Sequence, residues 1–330
     1  MGRMKRVTQR ETNPFKNSDS NKRYYTYDYY LRKTYGGKCA KVTLDAGFTC
    51  PNIDGTKGQG GCIYCSSRGS GDFSPEASLS LAEQYEIQVA RITQKWDTPR
   101  FIPYLQAHTN TYGELSRLRA VYRDVLMLPN AVALHIATRA DCLGDGVLEL
   151  LAEVTETLPL TVELGLQTVK DDVAKRIGRG HTYGEFLDGY TRLRARVPSC
   201  RIAIHIINGL PTETKEDMLE TVKAIAALSP DEVKIHLLHV LRGTPLATLY
   251  EEGRYTPQTR EEYVDTVVEQ LRLLPPDTVI GRLTGDGKAE DLLAPAWSLK
   301  KLNVINEIDK KMAKNGFLQG DLYNLNKNTI

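Results

Sequence analysis

The chain has 330 residues, of which 41% are hydrophobic and 25% are charged, and its formal net charge is +2. This size and balance fit one large α/β domain with a small appendage, and they exclude a disordered chain. The sequence has no run of eighteen apolar residues, and its first twenty residues are polar and basic, so we expect neither a membrane-spanning helix nor a secretory signal. We therefore expect a cytoplasmic protein whose cysteines serve metal binding or catalysis rather than disulfide bonds.

The first forty residues form a basic and aromatic segment. They carry ten Lys or Arg residues against three acidic ones, a net charge of +7, together with one phenylalanine and six tyrosines. Basic groups pair with phosphates and aromatic rings stack on unpaired bases, so this composition suits contact with RNA. A solvated tail followed by a strand or helix that buries its tyrosines would explain this composition as well. We treat residues 1–40 as an N-terminal extension.

From residue 40 onward, short β-type runs alternate with amphipathic helical patterns. The predicted strands cover residues 40–44, 100–106, 131–138, 160–166, 201–207 and 232–240. The predicted helices between them cover residues 80–96, 115–128, 146–158, 182–197 and 213–228. Ser80 and Thr182 each begin a capping box, which marks the start of a helix. This alternation predicts an α/β fold, a partial (β/α)6 TIM-like barrel over residues 41–250, with its chemistry at the C-terminal strand ends.

The pattern changes after residue 250. A long helix is predicted over residues 259–274, a short strand over 278–283 and a basic helix over 298–315. We interpret residues 251–330 as a small C-terminal α+β appendage that packs on the barrel.

Three cysteines follow the first predicted strand in one loop, which reads Cys50-Pro-Asn-Ile-Asp-Gly-Thr-Lys-Gly-Gln-Gly-Gly-Cys62-Ile-Tyr-Cys65. The two intervening residues of the close pair let both sulfur atoms point at one metal centre, and the glycines let the loop turn sharply. Three thiolates suit an iron–sulfur cluster with one open iron. A zinc site that takes Cys39 or a histidine as its fourth ligand suits the spacing equally well.

This loop resembles that of the radical S-adenosylmethionine superfamily, and the long first gap is similar to that of the YhcC/YtqA-type subfamily. The subfamily is related to the radical domain of the elongator catalytic subunit. The resemblance implies that Cys50, Cys62 and Cys65 hold a [4Fe-4S] cluster and that the open iron binds S-adenosylmethionine. It also implies that the barrel is of the radical SAM type and that Tyr64 lies near the adenine. The common spacing of the superfamily, C-x3-C-x2-C, is shorter than the one found here.

The resemblance continues at later strand ends and implies further cofactor contacts there. The residues that it marks are Thr109, Asn110, Glu163, Gln167, Asn208, Gly209 and His239. Glu163 has an alternative interpretation as a core carboxylate paired with Arg139, because a polar group inside a barrel needs a partner. His205 and His236 rank below His239, because His239 falls later in its strand.

The resemblance implies an enzyme that forms a 5′-deoxyadenosyl radical. The subfamily points to tRNA wobble-uridine modification, the conversion of 5-carboxymethylaminomethyluridine into 5-aminomethyluridine. The expected partners are the tRNA anticodon stem-loop, held by the basic N-terminus and the basic C-terminal helix, and an electron donor such as flavodoxin or ferredoxin. Arg139, Arg179 or Arg282 would suit the substrate carboxylate. Two alternatives stay open: a radical enzyme acting on a small molecule or protein, and a zinc-stapled RNA-binding module.

Overall fold

The computed structural model describes residues 13–285 and 287–323. In this part of the chain, the helices are α1 (Tyr27–Tyr35), α2 (Leu81–Thr93), α3 (Leu115–Leu126), α4 (Asp145–Thr155), α5 (Asp171–Arg176), α6 (Tyr183–Arg196), α7 (Lys215–Ala227), α8 (Pro245–Glu251), α9 (Arg260–Leu273) and α10 (Lys301–Lys314). The strands are β1 (Ala40–Leu44), β2 (Phe101–Leu105), β3 (Leu134–Thr138), β4 (Leu160–Gln167), β5 (Arg201–Asn208), β6 (Glu232–Leu237), β7 (Val240–Leu241), β8 (Val279–Arg282) and β9 (Leu292–Ala294).

Seven parallel strands form one sheet in the order β1-β2-β3-β4-β5-β6-β8. The sheet curls into a half-barrel with helices on its outside, which confirms the predicted partial TIM-like barrel. The prediction of six barrel strands is wrong by one, because β8 pairs with β6 although it lies in the predicted appendage. The reason is that α9 serves as one more crossover helix and returns the chain to the free edge of β6, a pairing that local patterns do not encode.

Capping boxes fix where four of these helices begin. The side-chain hydroxyl groups of Ser80 and Thr182 each accept a hydrogen bond from the backbone N–H of the third helical residue. The carboxylate of that third residue in turn accepts a hydrogen bond from the backbone N–H of Ser80 or Thr182, which confirms the two predicted capping boxes. Thr214 and Thr259 form the same arrangement before α7 and α9. Each box satisfies two backbone N–H groups that a helix start would leave without partners.

The two faces of the sheet differ in chemistry. Its outer face is apolar and packs on the helices, with Val42, Leu44, Ile202 and Ile204 fully buried in the main core. The inner face carries charged and aromatic residues, which alternate with the apolar ones along each strand. The inside of the barrel is therefore a polar cavity rather than a hydrophobic core.

Helix α1 closes the barrel at the N-terminal ends of the strands. Leu31 packs there with Cys39, Ile102 and Ala133, which lie at or just before the starts of β1, β2 and β3. The tyrosine-rich segment thus lies at the end of the barrel opposite to the loop that follows β1. The expectation that this segment helps to hold the anticodon stem-loop stays a prediction. The predicted N-terminal cations up to residue 12 lie outside the described residues.

Among the described residues, we found no helix with the length and apolar content that crossing a membrane requires. The predicted division of the chain after residues 40 and 250 stays a prediction.

Candidate active site

A cavity of about 460 Å³ lies inside the barrel. Cys50, Cys62 and Cys65 line it where the strands end, and Tyr27 and Leu31 of α1 line it at the other end. The sequence places the three thiols here because the loop that carries them starts at the C-terminal end of β1. The structure therefore brings together the three cysteines that the spacing singled out.

The cysteine loop folds into two tight turns that bring its ends together. Ile53 N donates to Cys50 O at 2.8 Å, and Cys65 N donates to Cys62 O at 3.0 Å. Gly61 N donates to Asn52 O at 2.9 Å and closes the loop between them. These bonds place the first cysteine beside the close pair although eleven residues separate them in sequence.

Asn52 anchors this loop to the segment that follows α5. Its side-chain amide donates to Gly178 O at 2.9 Å and to Arg179 O at 2.7 Å, and it lies 3.3 Å from the Cys62 sulfur. The side chain is buried, so its bonds are not exchanged with water. The sequence showed Asn52 as part of the loop motif but gave no sign of this contact, because the partner lies more than 120 residues away.

The surroundings of Cys62 favour the thiolate, which is the form that binds metal. The hydrogen bond with Cys65 lowers the pKa of Cys62 to about 5, and the positive charge of Arg179 and the Asn52 amide act in the same direction. The same bond raises the pKa of Cys65, and burial and the charge of Cys62 act in the same direction.

The other predicted site residues divide into three groups. Tyr64, Thr109, Glu163 and Gln167 line the same cavity as the cysteines. His239 lines an adjoining hollow that also contains Tyr64 and Cys65.

Asn110, Asn208 and Gly209 are absent from the cavity lining in the part of the chain that the structure describes. The Asn110 amide donates to the carbonyl oxygens of Leu105, Ala107 and Ala137 at 3.0 to 3.1 Å and holds the ends of β2 and β3 together. The Asn208 side chain pairs with that of Gln270 on α9 through two bonds of 2.8 Å. The Gly209 carbonyl accepts from the Tyr255 hydroxyl at 2.8 Å. The cofactor contacts expected for these three residues stay predictions.

Glu163 lies at the centre of a buried ionic network that the sequence did not reveal. Its Oε1 accepts from Lys41 Nζ at 2.8 Å and from His135 Nδ1 at 2.6 Å. Its Oε2 accepts from His205 Nε2 at 2.9 Å and from Lys234. The alternative pairing of Glu163 with Arg139 is wrong, because Arg139 forms a two-pronged pair with Asp141 at 2.8 and 2.9 Å.

Comparisons with known proteins identify the family. The Radical SAM superfamily model matches residues 55–225, and the Radical_SAM C-terminal domain model matches residues 230–314. The chain is 43% identical to protein YtqA of Bacillus subtilis over 95% of this chain and 97% of that protein. It is 35% identical to protein YhcC of Escherichia coli over 87% of this chain and 91% of that protein.

The chain belongs to the radical S-adenosylmethionine superfamily. A more distant relative is the tRNA uridine(34) acetyltransferase of Methanocaldococcus jannaschii, with 27% identity over 56% of this chain and 33% of that protein. The fold is similar to that of the archaeal Elp3 of Methanocaldococcus infernus, with a TM-score of 0.62, 18% identity and coverage of 85% of this chain and 64% of that one. Radical SAM enzymes use a [4Fe-4S] cluster and S-adenosylmethionine, so these are the cofactors of this chain.

The cysteine loop fits a four-iron cluster better than a single zinc ion. Thiolates around one zinc lie about 3.8 Å from one another, since each Zn–S bond is about 2.3 Å. In the part of the chain that the structure describes, no three His, Cys, Asp or Glu side chains converge on one such point. A cluster takes each thiolate on a different iron, so its ligands need to border one cavity, as these three do. Cys39, the proposed fourth zinc ligand, lies before β1, a full strand length away from Cys50.

The lining of the radical SAM cavity also offers polar groups for the second cofactor. Gln167 has a left-handed backbone with a φ of 77°, and its Oε1 is buried without a hydrogen-bond partner among the described residues. The register of β4 against β5 shifts between Gly165 and Gln167, which explains why this side chain leaves the regular alternation of the strand. The Nε of Arg179 is likewise buried without a hydrogen-bond partner among the described residues. The guanidinium of Arg139, in contrast, forms an ion pair with Asp141.

Proposed function

We propose that this radical SAM enzyme modifies the wobble uridine of tRNA and converts 5-carboxymethylaminomethyluridine into 5-aminomethyluridine. Three cysteines that border one cavity, with Asn52 beside the Cys62 sulfur, carry the radical part of the proposal. The tRNA part is supported by the relative named tRNA uridine(34) acetyltransferase, which resembles about half of this chain. Because this chain spans a third of that relative, the substrate is proposed for the radical domain alone.

Different residues of the cavity bind the cofactor and the substrate. When bound, the reduced cluster and S-adenosylmethionine supply a 5′-deoxyadenosyl radical that abstracts a hydrogen atom from the substrate. We assign Tyr64 to the adenine, Thr109 to the methionine and Gln167 to the ribose and methionine of the cofactor, because all three line the cavity. Arg179 has an unpartnered buried Nε and suits the substrate carboxylate, since a guanidinium pairs with carboxylates in fixed geometry.

The proposed conversion balances with water and one electron carrier. The carboxymethyl carbon loses one hydrogen atom to the deoxyadenosyl radical. The resulting substrate radical then loses the amine proton and one electron, which passes to a carrier of the ferredoxin or flavodoxin class, and becomes an imine. Water adds to the imine carbon, the C–N bond breaks, and the products are 5-aminomethyluridine and glyoxylate.

The test uses protein purified and reduced without oxygen, S-adenosylmethionine and tRNA from cells that lack this gene. We expect 5′-deoxyadenosine to form together with 5-aminomethyluridine, and both products to disappear in the Cys62→Ala variant. Cys200→Ala is the matched control, because Cys200 is buried at the start of β5 and is absent from the cavity lining. Deoxyadenosine without any nucleoside change would retain the radical chemistry and refute the tRNA substrate, as expected for an enzyme that acts on a small molecule or a protein.

A further inference from the structure

A chain of hydrogen bonds crosses the inside of the barrel and ends in the cavity. Glu163 Oε2 contacts His205 Nε2 at 2.9 Å, and His205 Nδ1 contacts His236 Nε2 at 3.2 Å. The two histidine rings stack with centroids 5.1 Å apart. The three residues come from β4, β5 and β6, which are neighbours in the sheet, so rigid strands hold the chain in place.

The direction of each hydrogen bond follows from the charge of Glu163. Lys41 and Lys234 both contact this carboxylate and hold its pKa well below the usual range, so it is ionised and only accepts. His205 must therefore donate from Nε2. Burial lowers the pKa of His205 to about 4, so its ring carries one proton and its Nδ1 accepts. His236 then donates from Nε2, and its Nδ1 keeps a free lone pair.

That lone pair is available to a molecule in the cavity. The His236 ring is half-buried and lines the cavity, and Nδ1 has no hydrogen-bond partner among the described residues. Burial, His205, Arg282 and Lys234 lower the pKa of His236, and Glu163 acts in the opposite direction. The ring is therefore neutral near pH 7, which is the state that can accept a proton.

We propose that Nδ1 of His236 accepts a proton from an N–H group of the substrate, and that Glu163 and His205 fix the tautomer that makes this possible. The inference rests on the proposed function. In the step, the N–H bond of the substrate breaks, an Nδ1–H bond forms, and the electron pair stays on the substrate nitrogen. Glu163 favours the new imidazolium, whereas burial, Arg282 and Lys234 oppose it. His236 is the catalytic residue, and His205 and Glu163 are positioning residues.

A carboxymethylamino group explains why such an acceptor is useful. Its nitrogen is a secondary amine that is protonated in acidic to neutral water, and an ammonium nitrogen has no lone pair to stabilise a radical on the adjacent carbon. Removal of the proton restores that lone pair before the hydrogen atom is abstracted. A positioned base contributes about 10²- to 10⁴-fold to the rate of such steps.

The tautomer can be measured on the protein without substrate. Long-range ¹H–¹⁵N NMR spectra of histidine-labelled protein distinguish a ring nitrogen with a lone pair from one that bears hydrogen. We expect lone-pair signals for His236 Nδ1 and His205 Nδ1, and a mixture of tautomers for His236 in the His205→Gln variant. A His236 ring protonated at Nδ1 in the unchanged protein would overturn the proposal, whatever the substrate is.

The catalytic role is tested by the pH profile of the His236→Phe variant. At pH 7 we expect amine formation to fall about 100-fold. The loss should shrink by about tenfold for each pH unit up to the pKa of the substrate amine, because the solvent then removes the proton. Tyr190→Phe, which removes a partly buried bond to Leu228 O on the outside of the barrel, should match the unchanged protein at every pH.

Every outcome of this experiment decides the proposal. A deficit of equal size at all pH values would show that His236 is structural, and an unchanged rate would show that it is dispensable. In both cases the unchanged enzyme still modifies tRNA, so the proposed function stands while this inference fails. If the unchanged enzyme forms no modified nucleoside, the proposed function fails, and the inference fails with it.

Discussion

Glu163 is a fully buried carboxylate that accepts from four side chains on four different strands. Two of these partners are lysines, and the Nζ of Lys234 is itself buried. Moving such charges out of water costs several kcal/mol for each ion, and their mutual attraction offsets that cost only while every member is present. The network therefore stabilises the barrel as a unit.

We expect Glu163→Gln to lower the free energy of unfolding by about 3 to 5 kcal/mol, because it leaves two ammonium groups facing each other without a counter-charge. Chemical denaturation at pH 7 measures this change. Glu153→Gln is the control, since Glu153 pairs with Arg119 on the surface and water replaces the lost partner. Equal effects of the two substitutions would contradict the stabilising role of the network.

His135 links the network to α1, and burial lowers its pKa to about 3. The unfolded chain protonates this ring below about pH 6.5, whereas the folded chain keeps it neutral. Acid therefore favours the unfolded state, and stability is lost as pH falls from 6.5 towards 3, by up to about 1.4 kcal/mol per pH unit.

Comparing the pH dependence of unfolding with that of His135→Gln isolates this effect. Between pH 7.5 and 5.5, the free energy of unfolding of the variant should depend less steeply on pH, because unfolding of the variant takes up one proton fewer. The comparison uses the slope of the free energy of unfolding against pH, so a pH-independent loss of stability in the variant does not affect the result. Parallel slopes would show that the His135 ring titrates normally in the folded protein.

For individual residues, the sequence was informative where the site residues lie close together in the chain or directly follow a strand. The spacing of the three cysteines and the position of Gln167 after a strand both predicted residues that line the cavity. The partners of Glu163, and the carbonyl groups that Asn52 reaches, escaped prediction, because they belong to other strands and loops that lie 28 to 127 residues away in the chain. The bonds that the Asn110 and Asn208 side chains form also escaped prediction, because local sequence does not determine where a side chain points.

The loop that carries the cysteines and the turn after α5 act together as a clamp. Asn52 reaches the carbonyl groups of Gly178 and Arg179, and Ile63 N donates to Ile177 O at 3.0 Å. Gly180 lies against Asn52 with a φ of 72°, and a Cβ at this position would overlap the Asn52 side-chain oxygen. Close approach of the two segments therefore depends on a glycine at position 180.

We expect Gly180→Ala to push Asn52 away from Cys62 and to reduce the iron bound per chain after reconstitution. The left-handed backbone adds strain, because a side chain at this φ is disfavoured. Gly184→Ala is the matched control, since it lies in helix α6, where alanine is favoured over glycine. Iron and sulfide content with the ultraviolet–visible spectrum measures the outcome, and equal cluster content in both variants would refute the clamp.

The elements themselves were predictable where the signal is local. Capping boxes and hydrophobic periodicity located the starts of α2 and α6, and six predicted strands match observed ones to within a few residues. The place of β8 in the sheet was missed because pairing is a property of the whole fold. Helix α1 was one of the alternatives left open for the tyrosine-rich segment.

The barrel as a whole has two ends with different surroundings. The cysteine loop, β7 and β9 lie where the strands finish, and the chain continues from β9 through Ala296–Lys300 into α10. Lys300 is exposed at this end. Lys33 is exposed on α1, at the end where the strands begin. A tRNA whose wobble base enters the cavity beside the cluster would therefore pass near Lys300 and far from Lys33.

This difference between the two ends predicts opposite behaviour for two charge reversals. We expect Lys300→Glu to weaken tRNA binding and to reduce the salt dependence of the binding constant by about one unit of slope, because a phosphate contact is lost. Lys33→Glu changes the net charge by the same amount and should leave the binding constant and its salt dependence nearly unchanged. Filter binding across a range of salt concentrations measures both. If Lys33→Glu weakens binding more than Lys300→Glu does, the tRNA approaches the barrel from the α1 end, and the cluster end cannot be its entrance.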